Sequence, residues 1–457
     1  MKVLKFGGTS VGDSEIIKKV KEIVEGVKDD KAIVVSAMSG ITDALIRATN
    51  FAKDGSQEYL LEFERIKTKH RNIMNELFGE NLKEVEELLE ELHSILNSIK
   101  ILGEVTPRAF DTILSFGERM NVRVVSEYFK RNKLKSIPVD SNLFLITDDN
   151  FGNANPIYEE SQPLVDKIIV PLIIDGIVPV ITGFIGKTKS GFITTLGRGG
   201  SDFSATILGR LLNADEVRIY TDVDGVLTSD PKYVKNAKTI KYLSYIEAAE
   251  LSYYGAKVLH PRSLLPVIDR KIPVRILNTF NPKSEGTLIC DLIDDEKFIK
   301  AITFIQDISL ISVNGKGMLG VPGISFRVFK NAFELKTNVL MISQSSSEQN
   351  ICFVVKRNES EKLVERLYSE FKEELKRKEI DSIVVDNDVS IISIIGAKMK
   401  GRYGIAGKIF SILGNNKINI IAIAQGSSEY NISFIVKDSD VINAVNILHD
   451  ELKLGDE

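Results

Sequence analysis

The strongest constraint on this chain is that it repeats itself. Residues 308–355, opening ISLISVNGKGMLGVPGISF, recur without a gap as residues 389–436, opening VSIISIIGAKMKGRYGIAG, with roughly 20 of about 48 positions identical. Each copy reads strand, Gly-rich loop, helix, strand, turn, strand, and each is followed by a helical pattern (EKLVERLYSEF and VINAVNIL). A repeated βαββα unit of this size predicts a duplicated domain, approached through Asn278–Ile293. The charged run at 356–381 predicts a helix face and a linker between the copies. The repeat also removes a tempting motif. GKGMLG, Gly315–Gly320, fits the dinucleotide fingerprint, yet its counterpart GAKMKG lacks the middle glycine, so the loop belongs to the duplicated unit.

The first half is built differently. From Met1 to about Pro273, apolar runs (VLKF, KAIVVSAM, KSIPVDS, VPVITGF, EVRIYTDV, IPVRILN) alternate with helical patterns. Runs such as AIVV and VPVI are apolar on both faces, as a covered parallel sheet requires, and predict a three-layer α/β domain. Residues 51–100 turn long, charged and helical, which predicts a solvated helical insertion. A length of 457 residues suits two or three domains. The net charge of -4 argues against a dedicated nucleic-acid binder. Cys290 and Cys352 have no metal-ligand spacing and point to a reducing cytoplasm. The N-terminus runs straight into a strand without a signal-peptide core. The stretch IIVPLIIDGIVPVITGFIG is interrupted by Asp175, prolines and glycines, so it reads as buried sheet rather than a membrane span. A soluble intracellular protein is expected.

Two junctions in this domain carry chemistry. In KFGGTSVGDSEI (5–16), a strand through Val3, Leu4 and Lys5 is broken by Gly7 and Gly8, and Asp13 or Ser14 can cap the following helix. Strand, glycine turn and helix N-terminus together make an anion site, and Lys5 adds a full positive charge. The alternative is a tight βα turn with a solvated lysine. TTLGRGGSDFSA (194–205) repeats the pattern, with a helix from Ser201 onward. Arg198 can clamp a carboxylate or phosphate, and Asp202 either serves the site or only complements the helix dipole. Two such junctions in one sheet suggest the two ends of one phosphate-bearing ligand. Weaker signals are Thr221 and Asp222 at the end of YTDVDG, Lys257 in AKVLHP, and Glu118 with Arg119 in SFGER after a helix, where a surface ion pair is equally natural. His260 beside Pro261 reads as structural. GKT at 186–188 lacks the upstream glycine of a P-loop and predicts a hairpin turn.

In order, KFGGTS, VSAMSGITDAL, SFGER, TGFIG, TTLGRGGSD, YTDVDGV and GAKVLHP resemble the aspartate kinases of the amino-acid kinase superfamily. The duplicated unit resembles their tandem ACT regulatory domains. The likeness spans nearly the whole chain. KFGG[TS] together with GRGGSD separates this group from acetylglutamate, glutamate and nucleoside-monophosphate kinases. The resemblance implies an α/β chain: a three-layer αβα catalytic domain over 1–293 with a largely parallel sheet and the insertion at 51–100. Two ferredoxin-like βαββαβ ACT domains follow, over 294–382 and 383–457.

The implied reaction is transfer of the ATP γ-phosphoryl group to the β-carboxylate of L-aspartate, the first step toward lysine, threonine and methionine. By the same resemblance Lys5 and Asp202 are catalytic, with Asp202 orienting Lys5. Arg198 would hold the α-carboxylate, Glu118 the ammonium, and Ser36, Thr42 and Ser201 the substrate and phosphate side. ATP would meet Lys5, Gly7, Gly8, Thr221, Asp222, Lys232, Lys257 and Val258, with Mg²⁺ bridging its phosphates and no protein metal cage. Leu227 and Lys232 depart from the Tyr and Arg frequent in the family. The effector, lysine or threonine, would bind near Met318, Gly323, Ile324, Asn338 and Val339, and the second ACT copy would chiefly build a homodimer or a dimer of dimers. The chain ending at Glu457 implies no fused homoserine dehydrogenase. Two other readings stay open: a non-catalytic amino-acid sensor, and a sister kinase acting on glutamate or acetylglutamate.

Overall fold

The computed structural model describes residues 1–254, 259–291, 297–319, 321–345 and 349–456. Lys257 and Val258, the boundary expected at 293/294, Gly320 and residues 346–348 of one repeat turn lie outside the described residues. Contacts divide the chain into two compact units: residues 1–226, 239–249 and 257–294 form one, and residues 227–238, 250–256 and 295–457 the other.

In the first unit the order is β1 (Lys2–Phe6), α1 (Ser14–Gly26), β2 (Lys31–Val35), α2 (Ile41–Lys53), α3 (Glu58–Phe78), α4 (Lys83–Leu102), α5 (Pro107–Arg131), β3 (Ser136–Val139) and β4 (Ile146–Thr147). There follow α6 (Tyr158–Ile168), α7 (Val170–Ile174), β5 (Val178–Thr182), β6 (Ile185–Thr188), β7 (Ile193–Thr195), α8 (Gly200–Leu211), β8 (Glu216–Thr221) and β9 (Tyr242–Leu243). Then come α9 (Tyr245–Tyr253), whose last turn falls in the other unit, α10 (Leu265–Ile268), β10 (Val274–Asn278) and β11 (Thr287–Ile289). The central sheet has the order β3-β5-β2-β1-β8-β10-β11-β9 and is parallel except between β10 and β11. Every residue of β5 is buried, so both sheet faces are covered, as its unbroken apolar run predicts. Register sets Phe6 beside Val35 and Tyr220, and Thr221 beside Asn278. The carboxyl ends of β1, β2, β8 and β10 therefore share one edge, where ligands of parallel sheets bind.

Three expectations need correction here. The insertion is not a solvated appendage: Phe63, Ile66, Met74, Leu89, Leu92 and Leu96 pack into the same core as α2 and α5, and only the outer faces of α3 and α4 are charged. The charged composition hid an amphipathic stripe. SFGER lies inside α5, not after a helix. GKT sits in β6, and the hairpin to β7 turns at Gly191, whose φ is +86°.

The second unit holds β12 (Ala301–Ile305), β13 (Ile308–Asn314), α11 (Ile324–Glu334), β14 (Met341–Gln344), β15 (Asn350–Lys356), α12 (Arg357–Glu370), α13 (Lys372–Lys376) and β16 (Ser382–Asp386). The second repeat continues as β17 (Val389–Ile395), α14 (Ile405–Asn415), β18 (Ala422–Ala424), β19 (Asn431–Lys437) and α15 (Val441–Glu451). The two four-stranded sheets are β14-β15-β13-β16 and β12-β17-β19-β18. Each repeat thus takes its edge strand from the segment preceding the other: β12 pairs with β17, and β16 with β13. A linear cut at 383 does not follow these hydrogen bonds. Residues 227–238 also belong to this unit. Val234 is fully buried in its core, Ile302 N–H donates to Thr228 O at 2.9 Å, and Thr228 Oγ1 meets His449 Nε2 at 2.8 Å.

Candidate active site

At the shared strand edge, two strand-to-helix junctions of the central sheet and a third from the separate sheet β4-β6-β7 line a cleft of about 390 Å³, so the two glycine junctions expected in one sheet come from two. The first follows β1: Gly7 and Gly8 lead into a short 3₁₀ turn (Gly8–Val11), and Asp13 caps α1 by accepting from Ile16 N–H at 2.9 Å. The second follows β2, where Ser36, Ala37, Met38 and Ser39 run to Gly40, the N-cap of α2 with φ +79°. The third follows β7, where Arg198 precedes Gly199 (φ +70°), the N-cap of α8. The first and second are tied directly, since Ser39 N–H donates to Gly8 O at 3.1 Å and Ser36 N–H to Phe6 O at 3.2 Å. A Cβ on Gly8 would lie 2.9 Å from the Ala37 carbonyl oxygen, so the glycine is required by this approach.

Lys5 projects from β1 and pairs with Asp202, in the first turn of α8, at 2.5 Å. Both are largely buried, with side-chain exposures of 10% and 16%. Glu118 enters from the middle of α5. Its Oε1 accepts from Ala37 N–H at 3.0 Å, while its buried Oε2 has no hydrogen-bond partner among the described residues. Burial pushes its carboxyl up to about 8, against the pull of the Ala37 N–H and of Lys5. Such a group ionises when a cation arrives beside it. Arg119, next in sequence, points elsewhere, toward Asp140 and Glu91.

The structure therefore brings Lys5, Gly8, Ser36, Thr42, Glu118, Arg198, Ser201 and Asp202 to one cleft. Gly7 sits beside it, its N–H donating to Tyr220 O at 3.3 Å. Thr221 and Asp222 close β8 at the same sheet edge and are bonded to each other, Oγ1 to Oδ1, at 3.1 Å. Lys232 belongs to the second unit, exposed, with its N–H on Asp230 Oδ1. His260 is structural, its Nδ1 accepting from Arg262 N–H.

Reading the sequence misses several supporting residues. Asn121 Nδ2 donates to Ser36 O at 2.6 Å, one helical turn beyond Glu118. Asp111, one turn before Ser115, accepts from Gly152 N–H, Thr195 N–H and Thr195 Oγ1, fixing the approach to the third junction. Gly117 lets α5 approach: a Cβ there would lie 2.7 Å from Ala37 Cβ. Gly117→Ala is expected to lower the unfolding free energy by about 1–3 kcal/mol through overpacking, measured by denaturant unfolding at constant pH. Spacing at i, i+3 and i+4 along α5 was the available signal for this shared face.

In the second unit, a cavity of about 250 Å³ lies between the first repeat's Gly-rich loop and its sheet, lined by Met318, Val321, Pro322, Gly323, Ile324 and Ser325 with Gln344 and Ile351. Asn338 and Val339 are not among its lining residues. Where the first repeat has Val321 and Pro322, the second has Arg402 and a fully exposed Tyr403. Among the described residues no cluster of three metal-type ligands occurs, and no helix is long and apolar enough to cross a membrane.

Comparison with known proteins gives a consistent result. The profile of the amino acid kinase family matches residues 1–278, and that of an ACT domain matches 311–371 and 392–452. The chain is 37% identical to the bifunctional aspartokinase/homoserine dehydrogenase 1, chloroplastic, of Arabidopsis thaliana, over 99% of this chain and 51% of that protein. It is 35% identical to aspartokinase 2, chloroplastic, of the same plant, over 98% of this chain and 83% of the relative. The chain thus spans about half the length of the bifunctional relatives it matches. Among solved structures, Escherichia coli aspartokinase III in complex with aspartate and ADP (R-state) is similar at 28% identity and TM-score 0.83, over 99% of this chain and 100% of that one. Clostridium acetobutylicum aspartate kinase is similar at 27% identity and TM-score 0.84, with the same coverage. The same E. coli enzyme in complex with lysine and aspartate (T-state) is similar at 29% identity and TM-score 0.83, over 99% of both chains.

Proposed function

The chain belongs to the aspartokinases of the amino acid kinase family, and on that premise we propose that it transfers the γ-phosphoryl group of ATP to the β-carboxylate of L-aspartate. The observation that carries the reading is the meeting of three helix-starting junctions with the Lys5–Asp202 pair and a buried Glu118 oxygen left without a partner. A carboxylate nucleophile is already ionised at neutral pH, so the site needs no general base. Rate enhancement comes from positioning and from neutralising charge on the transferring group. Lys5 and the N–H at Gly8 meet that charge, Gly7, whose N–H is taken by Tyr220 O, shapes the turn, and Asp202 holds the Lys5 ammonium in place. Glu118 takes the substrate ammonium and Arg198 its α-carboxylate, with Ser36, Thr42 and Ser201 completing the substrate and phosphate side. Thr221, Asp222, Lys257 and Val258 serve the nucleotide.

Free N–H groups and a lysine fit phosphate oxygens, and no group of three metal-type ligands occurs among the described residues. Mg²⁺ would accordingly be held through the ATP phosphates, where it supplies charge neutralisation. The cavity by Met318, Gly323 and Ile324 suits a small amino-acid effector, lysine or threonine, while Asn338 and Val339, also expected to meet it, do not line the cavity. Binding there would favour a less active arrangement. The bulkier Arg402–Tyr403 loop supports a scaffolding role for the second repeat, in a homodimer or a dimer of dimers. Residues up to about 293 would form the catalytic domain, with the regulatory repeats following. A reducing, cytoplasm-like compartment suits Cys290 and Cys352, neither of which is in a disulfide.

The test is ADP release with L-aspartate, L-glutamate or N-acetylglutamate as acceptor, each alone and with lysine or threonine added. Turnover on aspartate alone, reduced by one effector, is expected. Turnover on glutamate would make the chain a sister kinase. Nucleotide binding without turnover on any acceptor would make it a sensor.

A further inference from the structure

Helix α3 carries four cations on its middle turns, and three of them meet carboxylates: Arg65 with Glu62, Lys67 with Glu64, and Arg71 with Glu86. The fourth, Lys69, does not follow this pattern. Its Nζ donates to the main-chain carbonyl of Ser39 at 2.6 Å, thirty positions away and at the mouth of the cleft. It stands beside the groove between α3 and the Gly12–Asp13 turn, with the Asp13 carboxylate in range of its charge.

Ser39 is held from both sides. Its N–H is bonded to Gly8 O, and its C=O to Lys69. The peptide that carries this carbonyl also carries the Gly40 N–H. In a trans peptide the two groups point in opposite directions, and no cis peptide occurs among the described residues. Anchoring the Ser39 carbonyl on the α3 side therefore turns the Gly40 N–H the other way, toward the cleft that Ser39 and Gly40 line. Gly40 has φ +79°, and a glycine can exchange this conformation for one of negative φ at little cost. Such an exchange flips the Ser39–Gly40 peptide and offers the cleft a carbonyl oxygen in place of a donor. Nothing intrinsic to glycine prevents the flip, whereas an ammonium–carbonyl hydrogen bond does.

We propose that Lys69 is a positioning residue: it locks the Ser39–Gly40 peptide so that the start of α2 presents N–H donors to the anionic substrate. The role rests on the reading of the cleft as a kinase site, and it gives the helical insertion a purpose in that site. Lys69 touches no reacting atom and acts through Ser39 alone.

The test compares Lys69→Met, Lys69→Arg and, as a control on the same helix, Lys67→Met, all in the full-length chain. Hydrogen exchange of peptides covering residues 36–45 is read without substrate, followed by kcat and KM for the acceptor. Lys69→Met is expected to speed exchange in that segment and to lower kcat/KM by about tenfold, while exchange elsewhere in α3 is unchanged. Lys69→Arg, which keeps charge and donors, recovers most of both effects, and Lys67→Met shows neither. Unchanged exchange at 36–45 in Lys69→Met overturns the proposal, as does a loss of kcat/KM that Arg does not rescue. Should the wild-type chain turn over no acceptor, the functional reading fails, and the exchange data still decide whether Lys69 holds the turn.

Discussion

Replacing Lys5 by Met is expected to lower kcat by about a thousandfold, the scale on which a charged or hydrogen-bonding group aimed at developing transition-state charge contributes. The geometry gives the reason. Lys5 emerges where β1 ends between β2 and β8, at the centre of the parallel sheet, and its ammonium lies 2.5 Å from Asp202 at the start of α8. It is held by rigid elements on both sides and needs no rearrangement to meet a phosphoryl oxygen. Losing it also leaves Asp202 as an uncompensated, largely buried charge, so Lys5→Met lowers the unfolding midpoint as well. A second variant separates the two effects. Lys5→Met with Asp202→Asn removes the stranded charge and recovers the midpoint, but it does not recover turnover. Thermal unfolding read beside initial rates checks both outcomes.

Glu118→Gln is the second large effect, with three consequences that go together. The wild-type carboxyl stays protonated in the empty site up to about pH 8, because burial outweighs the Ala37 N–H and Lys5. The unfolded chain releases that proton in the ordinary carboxylate range. Between that range and about 8 the folded state therefore holds a proton that the unfolded state has lost, and the wild-type chain loses stability as pH rises through this window. Glutamine has no proton to lose. The variant should therefore gain on the wild type as pH rises toward 8 and keep a constant advantage above it. Aspartate binding reverses the preference: its ammonium stabilises ionised Glu118, so binding at neutral pH expels a proton and tightens as pH rises to about 8. Calorimetry in buffers of different ionisation enthalpy detects that proton in the wild type and not in the variant. The KM for aspartate in Glu118→Gln should rise by about a hundredfold or more, the usual result of removing one partner of a buried charge pair.

The two repeats and the parallel sheet were legible because each leaves a period in the sequence. A duplicated βαββα pattern and strands apolar on both faces survive without any knowledge of contacts. The site was legible where chemistry and backbone coincide, at the glycine junctions that follow β1 and β7. It was obscure where distant chain segments support it. Asp111, Gly117, Glu118 and Asn121 lie along α5, but SFGER read as lying after a helix, so their common direction was lost. The insertion read as solvated because Glu and Lys outnumber its core residues, although Phe63, Ile66, Leu89 and Leu96 keep the helical period. The exchange of β12 and β16 between the repeats could not be read, since strand pairing at an edge is decided by tertiary register and not by the strand's own pattern.

The central claim is that this cleft phosphorylates the side-chain carboxylate of aspartate. It is tested most directly by trapping the acyl phosphate with hydroxylamine in the presence of the full chain, ATP and Mg²⁺. The account predicts that aspartate 4-hydroxamate accumulates in step with ADP, and that neither accumulates when glutamate replaces aspartate or Met replaces Lys5. ADP formed without hydroxamate, or hydroxamate formed at the wild-type rate by Lys5→Met, would contradict it.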